Sequence, residues 1–147
     1  MSVVRSQALI NASPNRVWEL VGDPRRHPEW WPRVVRVRGE RFAPGSEYVQ
    51  VTKSPKGRLE STMAIDRLED LRAIDMHCTD TGTFTRWLLT EAQGATFVDV
   101  EFGMEPAGIG NRVFDTTLGK LYFRRWLQQS LAALEQAAQP AQPSANL

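Results

Sequence analysis

Two polar side chains near the start of the predicted C-terminal helix are candidates for holding a ligand. Tyr122 and Arg125 lie within one turn of each other, so a phenol and a guanidinium could bind the same carboxylate or carbonyl. The competing interpretation is an exposed arginine beside a tyrosine of the core. Ser61 and Cys78 add a hydroxyl and a thiol, but no neighbouring His or Asp marks Cys78 as an activated nucleophile.

Side chains that could exchange protons fall on faces that are expected to lie outside the core. Asp99 and Glu101 alternate with apolar residues of one strand, so they are expected to face solvent. His77 is expected to face away from the interior for the same reason, and His27 to lie on the surface. The expected interior therefore supplies no clear general acid or base.

Composition excludes several classes of protein. The chain has 147 residues, which fits one domain, and a formal net charge of +1, which argues against nucleic acid as the main partner. A single cysteine cannot form an internal disulfide. The two histidines are far apart in the sequence, so no metal site is expected. No apolar run is long enough for a membrane helix, and the first residues are expected to form a strand rather than a signal peptide. We expect a cytoplasmic protein without metal or cofactor.

The periodicity of apolar residues predicts the order of the elements. A first strand ends near Ala12, and Ser13 with Pro14 predicts the capped start of a short helix. Between residues 33 and 105, six segments alternate apolar and polar residues and are separated by short turns, which is typical of an antiparallel meander. Residues 111–138 predict a long helix, with Phe123, Leu127, Leu131 and Leu134 on one side.

These elements predict an α+β fold. A seven-stranded antiparallel sheet wraps around a long C-terminal helix, and short helices lie between strands 1 and 2. Residues 1–138 are expected to form a single domain, and residues 139–147 a disordered tail.

The predicted space between sheet and helix is lined by mainly apolar side chains. The sheet contributes Ser61, Met63, Met76, Trp87, Val100 and Phe102, and the helix contributes Phe114, Leu118, Leu121 and Tyr122. The helix carries more apolar residues than one stripe can bury, which indicates either a cavity mouth or a homodimer contact. A plain hydrophobic core without a cavity is the competing interpretation.

Two segments resemble the opening of a known family. The residues ASPNRVWELVGDP (12–24) and PEWWP (28–32) are similar to the polyketide cyclase/dehydrase and lipid-transport family of the START-like (SRPBCC, birch-pollen-allergen-like) superfamily. A Pro-Gly-Ser turn at 44–46 and the strand residues TFVDV (96–100) fit the same layout. The resemblance implies a helix-grip fold over nearly the whole chain. It also places Trp30 and Trp31 near a cavity entrance, as either a lid or a plug of the core.

The resemblance implies several functions, because the superfamily includes cyclases, carriers of lipids and hormones, and chaperone activators. We expect binding or transport of an apolar small molecule, lipid-like or polyketide-like, with Trp31 and Arg125 among the ligand contacts. One alternative is a polyketide cyclase, aromatase or dehydratase, with Ser61, Tyr122 and Arg125 orienting the substrate. Another is a protein-interaction module with a vestigial cavity.

Overall fold

The computed structural model describes residues 2–55, 57–104 and 117–139, and nearly all of the predicted elements fall within these ranges. Phe114 and most of the predicted tail (residues 140–147) lie outside the described residues, as does the side chain of Leu118.

The strands form one antiparallel sheet of seven, in the spatial order β1-β7-β6-β5-β4-β3-β2. Consecutive strands are neighbours except at one place: β1 and β2 lie at opposite edges, and β1 pairs with β7. The strands are β1 (Ser2–Ile10), β2 (Val34–Arg38), β3 (Glu47–Ser54), β4 (Gly57–Glu69), β5 (Ala73–Cys78), β6 (Thr83–Ala92) and β7 (Ala95–Met104). This confirms the predicted sheet and α+β class.

The segment between β1 and β2 must cross from one edge of the sheet to the other. It contains α1 (Pro14–Val21), a 3₁₀ turn (Pro24–Arg26) and α2 (His27–Trp30). Ser13 caps α1 as predicted, because its hydroxyl accepts a hydrogen bond from the Arg16 backbone N–H at 3.3 Å. Because the segment crosses the sheet, it can bring side chains between the sheet and the C-terminal helix.

The C-terminal helix, α3 (Thr117–Ala138), is about 33 Å long at 1.5 Å per residue and packs across the sheet. Its buried stripe consists of Leu127, Leu131, Leu134 and Ala138. Its last turn is tied to α1, because the Arg16 guanidinium donates a hydrogen bond to the Ala137 carbonyl at 2.9 Å.

Strand alternation separates an apolar inner face from a charged outer face. Val98 and Val100 are fully buried, whereas Asp99 and Glu101 on the opposite face form ion pairs with Arg5. His77 also lies on the outer face, where its Nδ1 is 2.7 Å from a carboxylate oxygen of Asp66. The predicted orientation of all these side chains is confirmed.

The expectation that His27 lies on the surface is wrong. Its side chain is fully buried and meets the rings of Trp30 and Trp31 edge to face. The imidazole Nε2 lies 2.9 Å from the Val21 carbonyl, which can only accept, so Nε2 carries the proton and donates. Burial lowers the pKa of this imidazole to about 4, so His27 is neutral at physiological pH.

This burial predicts a specific loss of stability in weak acid. Between pH 6.5 and pH 4 the unfolded chain binds a proton at His27 that the folded chain does not, so the free energy of unfolding falls as pH falls. We expect this residue to account for a loss of about 2 kcal/mol between pH 7 and pH 5. Urea unfolding at several pH values measures it.

A matched pair of variants isolates the residue responsible. His27→Gln keeps an amide donor for the Val21 carbonyl but does not titrate, so its stability should change much less between pH 7 and pH 5. Gln129→Ala, at an exposed position without a titratable group, is the control and should keep the wild-type pH dependence. Equal pH dependence in wild type and His27→Gln would contradict the assignment.

Candidate functional site

A stack of indole rings connects the crossing segment to α3. Trp31 lies between Trp30 and Trp126, with ring centroids 5.7 Å and 5.5 Å away and rings nearly parallel. Trp87 on the sheet meets both Trp30 and Trp31 edge to face, each at 5.5 Å. Both adjacent tryptophans, Trp30 and Trp31, are buried, so they plug the core rather than form an exposed lid.

Hydrogen bonds fix the orientation of the stacked rings. The indole N–H of Trp31 donates to the Ser130 hydroxyl at 3.0 Å, and that hydroxyl donates to the Trp126 carbonyl at 2.7 Å. The Trp126 indole donates to the Pro32 carbonyl at 3.1 Å, and the Trp30 indole donates to Leu20 at 2.9 Å. The crossing segment and α3 are therefore joined by both ring contact and hydrogen bonds.

Beside this stack lies a pocket of about 300 Å³ between the inner face of the sheet and the N-terminal half of α3. Its side chains are mostly aromatic, aliphatic or hydroxylated. They are Trp31, Arg33, Gln50, Thr52, Lys53, Ser54, Leu59, Ser61, Met63, Cys78, Thr81, Thr83, Thr85, Phe102, Met104, Tyr122, Phe123 and Trp126. Leu59, Lys53 and Tyr122 are exposed and mark the mouth.

One buried polar atom of the pocket side chains lacks a hydrogen-bond partner within the described part of the chain. Gln50 lies on the inner face of β3, opposite Ser61 of β4, and its amide nitrogen donates to the Thr52 hydroxyl at 3.4 Å. Its carbonyl oxygen Oε1 is buried and accepts no hydrogen bond from the described residues. A buried acceptor without a donor costs free energy, and a ligand hydroxyl or N–H would remove that cost if the Gln50 side chain turned its oxygen into the pocket.

Arg33 lies at the mouth in an unusual backbone conformation. Its φ of 75° is in the left-handed region, which a residue with a Cβ rarely adopts. Its carbonyl accepts a hydrogen bond from the Lys53 N–H at 2.8 Å, which ties this conformation to β3. Its guanidinium lies over the Tyr122 ring, 4.6 Å from the centroid, so it sits at the edge of the pocket.

The structure brings together some of the residues that were expected to contact a ligand and separates others. Trp31, Ser61, Met63, Phe102 and Tyr122 line the pocket. Met76, Trp87 and Val100 face inward but are buried in the packed core and do not line the pocket. On α3, Leu121 and Arg125 are exposed and do not line the pocket.

Sequence reasoning missed several lining residues, among them Gln50 of β3 and Trp126 of α3. The hydroxyl residues Thr52, Thr83 and Thr85 occupy inward positions of β3 and β6, and strict alternation around Trp87 could have found the last two. Arg33 had no such signal, because its position depends on a left-handed residue in a turn. The guanidinium that meets Tyr122 is therefore that of Arg33, from a distant part of the chain.

No group of three His, Cys, Asp or Glu side chains within residues 2–55, 57–104 and 117–139 is arranged to hold a metal ion. None of the helices in the same ranges combines the length and the apolar character needed to cross a membrane.

Removing the hydroxyl that orients Trp31 should destabilise the protein. Ser130→Ala leaves the buried Trp31 N–H without an acceptor, so we expect the free energy of unfolding to fall by about 1–3 kcal/mol. Alanine is the better helix former, so helix propensity alone predicts the opposite sign. Gln129→Ala, at the exposed neighbouring position, serves as control and should change stability by about 0.5 kcal/mol or less. Urea unfolding of both variants shows whether Ser130→Ala lowers or raises the free energy of unfolding.

Replacing the Gln50 amide, whose oxygen has no donor, should have the opposite effect. Gln50→Met keeps the length of the side chain and removes the buried oxygen without a donor, so we expect stability to rise by about 1 kcal/mol. Gln136→Met on the exposed face of α3 is the matched control, with an expected change of about 0.5 kcal/mol or less. A loss of stability in Gln50→Met would mean that the oxygen is satisfied in solution.

Solved structures from several bacteria share this fold. Protein NE0264 from Nitrosomonas europaea is 14% identical, with a TM-score of 0.75 over 92% of this chain and 93% of that chain. XoxI from Bacillus cereus is 18% identical, with a TM-score of 0.72 over 93% and 95% of the two chains. The AHSA1-like protein from Aeromonas hydrophila is 16% identical, with a TM-score of 0.68 over 92% and 90%. At these identities the similarity shows the fold alone.

No protein of curated function matches the sequence closely enough to count as a relative. The sequence profile described as polyketide cyclase / dehydrase and lipid transport matches residues 1–139, which is nearly the whole chain. The match covers the sheet, the crossing segment with its tryptophans and α3, as the resemblance of residues 12–32 implied. The chain therefore belongs to the polyketide cyclase/dehydrase and lipid transport family, with a helix-grip fold.

Proposed function

We propose that this protein binds an apolar small molecule, lipid-like or polyketide-like, in the pocket between the sheet and α3. The observation that carries the proposal is the concave space of about 300 Å³ beside the indole stack. Ligand pockets are mainly apolar and aromatic, with a few polar groups that fix orientation. The rings of Trp31, Phe102 and Trp126 and the amide of Gln50 match that description.

The size of the pocket limits its ligand. Small-molecule pockets span about 300–1,000 Å³, so this one lies at the lower end of the range. A molecule with one short chain or two fused rings fits such a space, whereas a lipid with two long chains does not. The aromatic walls favour a flat or flexible apolar body, because Phe102 stacks on Phe123 and meets Trp126 edge to face.

The enzyme alternative would have to use the titratable groups that the described lining offers. These are the side chains of Arg33, Lys53, Cys78 and Tyr122. An arginine does not give up its proton, so Arg33 suits holding or polarising a ligand rather than removing a proton from it. The described lining thus supports binding more directly than it supports acid–base catalysis.

A neutral fluorescent probe tests the binding proposal. N-phenyl-1-naphthylamine is apolar, uncharged and close to the expected ligand size, and its fluorescence rises on leaving water. We expect saturable binding, with energy transfer from tryptophan to the probe because Trp31 and Trp126 form one wall. Native mass spectrometry of gently purified protein would show in parallel whether an apolar molecule accompanies the chain.

Adjacent positions on β4 supply the matched control. Ser61→Phe places a ring in the pocket and should weaken probe binding by about tenfold or more, which corresponds to about 1.4 kcal/mol. Thr62→Phe places the same ring on the opposite face of the strand and should leave binding unchanged. Absence of saturable binding, or equal weakening by both variants, would contradict the proposal.

A further inference from the structure

The mouth of the pocket carries positive charge that the described part of the chain does not neutralise. Arg33 and Lys53 are the charged residues of the described lining, which contains no Asp or Glu side chain. Arg33 is half-buried, and no carboxylate of the described residues pairs with its guanidinium. By contrast, the exposed Arg5 and Arg25 form ion pairs with neighbouring acids.

The chain holds the Arg33 guanidinium at this position. Left-handed backbone at a residue with a Cβ is strained, and such strain persists only where neighbouring contacts enforce it. Here the contacts are the hydrogen bond from the Lys53 N–H to the Arg33 carbonyl and the Tyr122 ring under the guanidinium. An aromatic ring covers one face of a guanidinium and leaves the N–H groups in its plane available to an anion.

We propose that the ligand is an amphiphilic carboxylate, with its anionic head group paired to Arg33 at the mouth and its apolar body beside the indole stack. The inference rests on the proposed function and adds the chemical class of the ligand. A planar guanidinium binds a carboxylate through two parallel hydrogen bonds, which are stronger than hydrogen bonds between neutral groups. The apolar body then lies along Met63 and Phe102, and the size of the pocket restricts it to a single short chain or a small ring system.

The test compares two ligands that differ only in the head group. The affinity of decanoate and of 1-decanol is measured by displacement of N-phenyl-1-naphthylamine from the pocket, at pH 7.5 and low salt. Arg33→Asn removes the guanidinium, and asparagine tolerates left-handed backbone, so this variant should fold. We expect it to weaken decanoate binding about tenfold, equivalent to about 1.4 kcal/mol, and to change 1-decanol binding by about twofold or less.

Arg36→Asn is the matched control, because Arg36 is exposed on β2, lies outside the pocket and carries the same charge. It should leave the binding of both ligands unchanged. In the wild-type protein, a rise from about 0.05 M to about 0.5 M NaCl should weaken decanoate binding and leave 1-decanol unaffected, because salt screens the ion pair. This measurement needs no variant.

The outcomes separate the two proposals. Suppose that the probe and both ligands bind, but Arg33→Asn weakens decanoate binding no more than it weakens 1-decanol binding. The carboxylate proposal is then overturned and the binding proposal stands. If Arg36→Asn weakens decanoate binding as much as Arg33→Asn does, the loss is a general effect of charge rather than of a contact with Arg33. The carboxylate proposal is then again overturned. If the neutral probe does not bind, both proposals fail.

Discussion

The stack of Trp30, Trp31 and Trp126 is the contact on which the arrangement of the other elements depends. It joins three parts of the chain that are distant in sequence, because Trp87 of the sheet meets its rings edge to face. β1 and β2 lie at opposite edges of the sheet, so the segment between them has to pass across its inner face. Two adjacent indoles are buried in that crossing, and α3 packs against one of them, because Trp126 stacks on Trp31.

The pocket follows from this constraint. Where the crossing segment lies between sheet and helix, the interior is filled, and Met76, Trp87 and Val100 are covered. Towards the N-terminal half of α3 the segment has already turned into β2, so the same curved sheet and helix enclose a space that the described side chains do not fill. The packed core and the pocket therefore lie at the two ends of the interface between the sheet and α3, and Trp31 lies between them.

Local sequence patterns were sufficient for the elements and insufficient for the mouth of the site. Alternation and capping predicted the strands, α1 and the two faces of β7, because each depends on neighbours within a few residues. His27 and Arg33 could not be placed this way. His27 is buried because two tryptophans of its own segment fold over it, and Arg33 reaches Tyr122 through a turn whose backbone is set by β3. Both positions depend on tertiary contacts, which the periodicity of apolar residues does not predict.

The unpaired polar groups of the interior fall into two kinds. The His27 Nδ1 and Trp87 Nε1 are buried among edge-to-face rings of the packed core and have no hydrogen-bond partner among the described residues. Gln50 Oε1 and the Arg33 guanidinium belong to side chains that line the same pocket. A buried acceptor without a donor costs free energy in the empty protein, and a donor that met Gln50 Oε1 after a rotation of that side chain would remove the cost. A ligand with such a donor would therefore raise the stability of the protein as it binds.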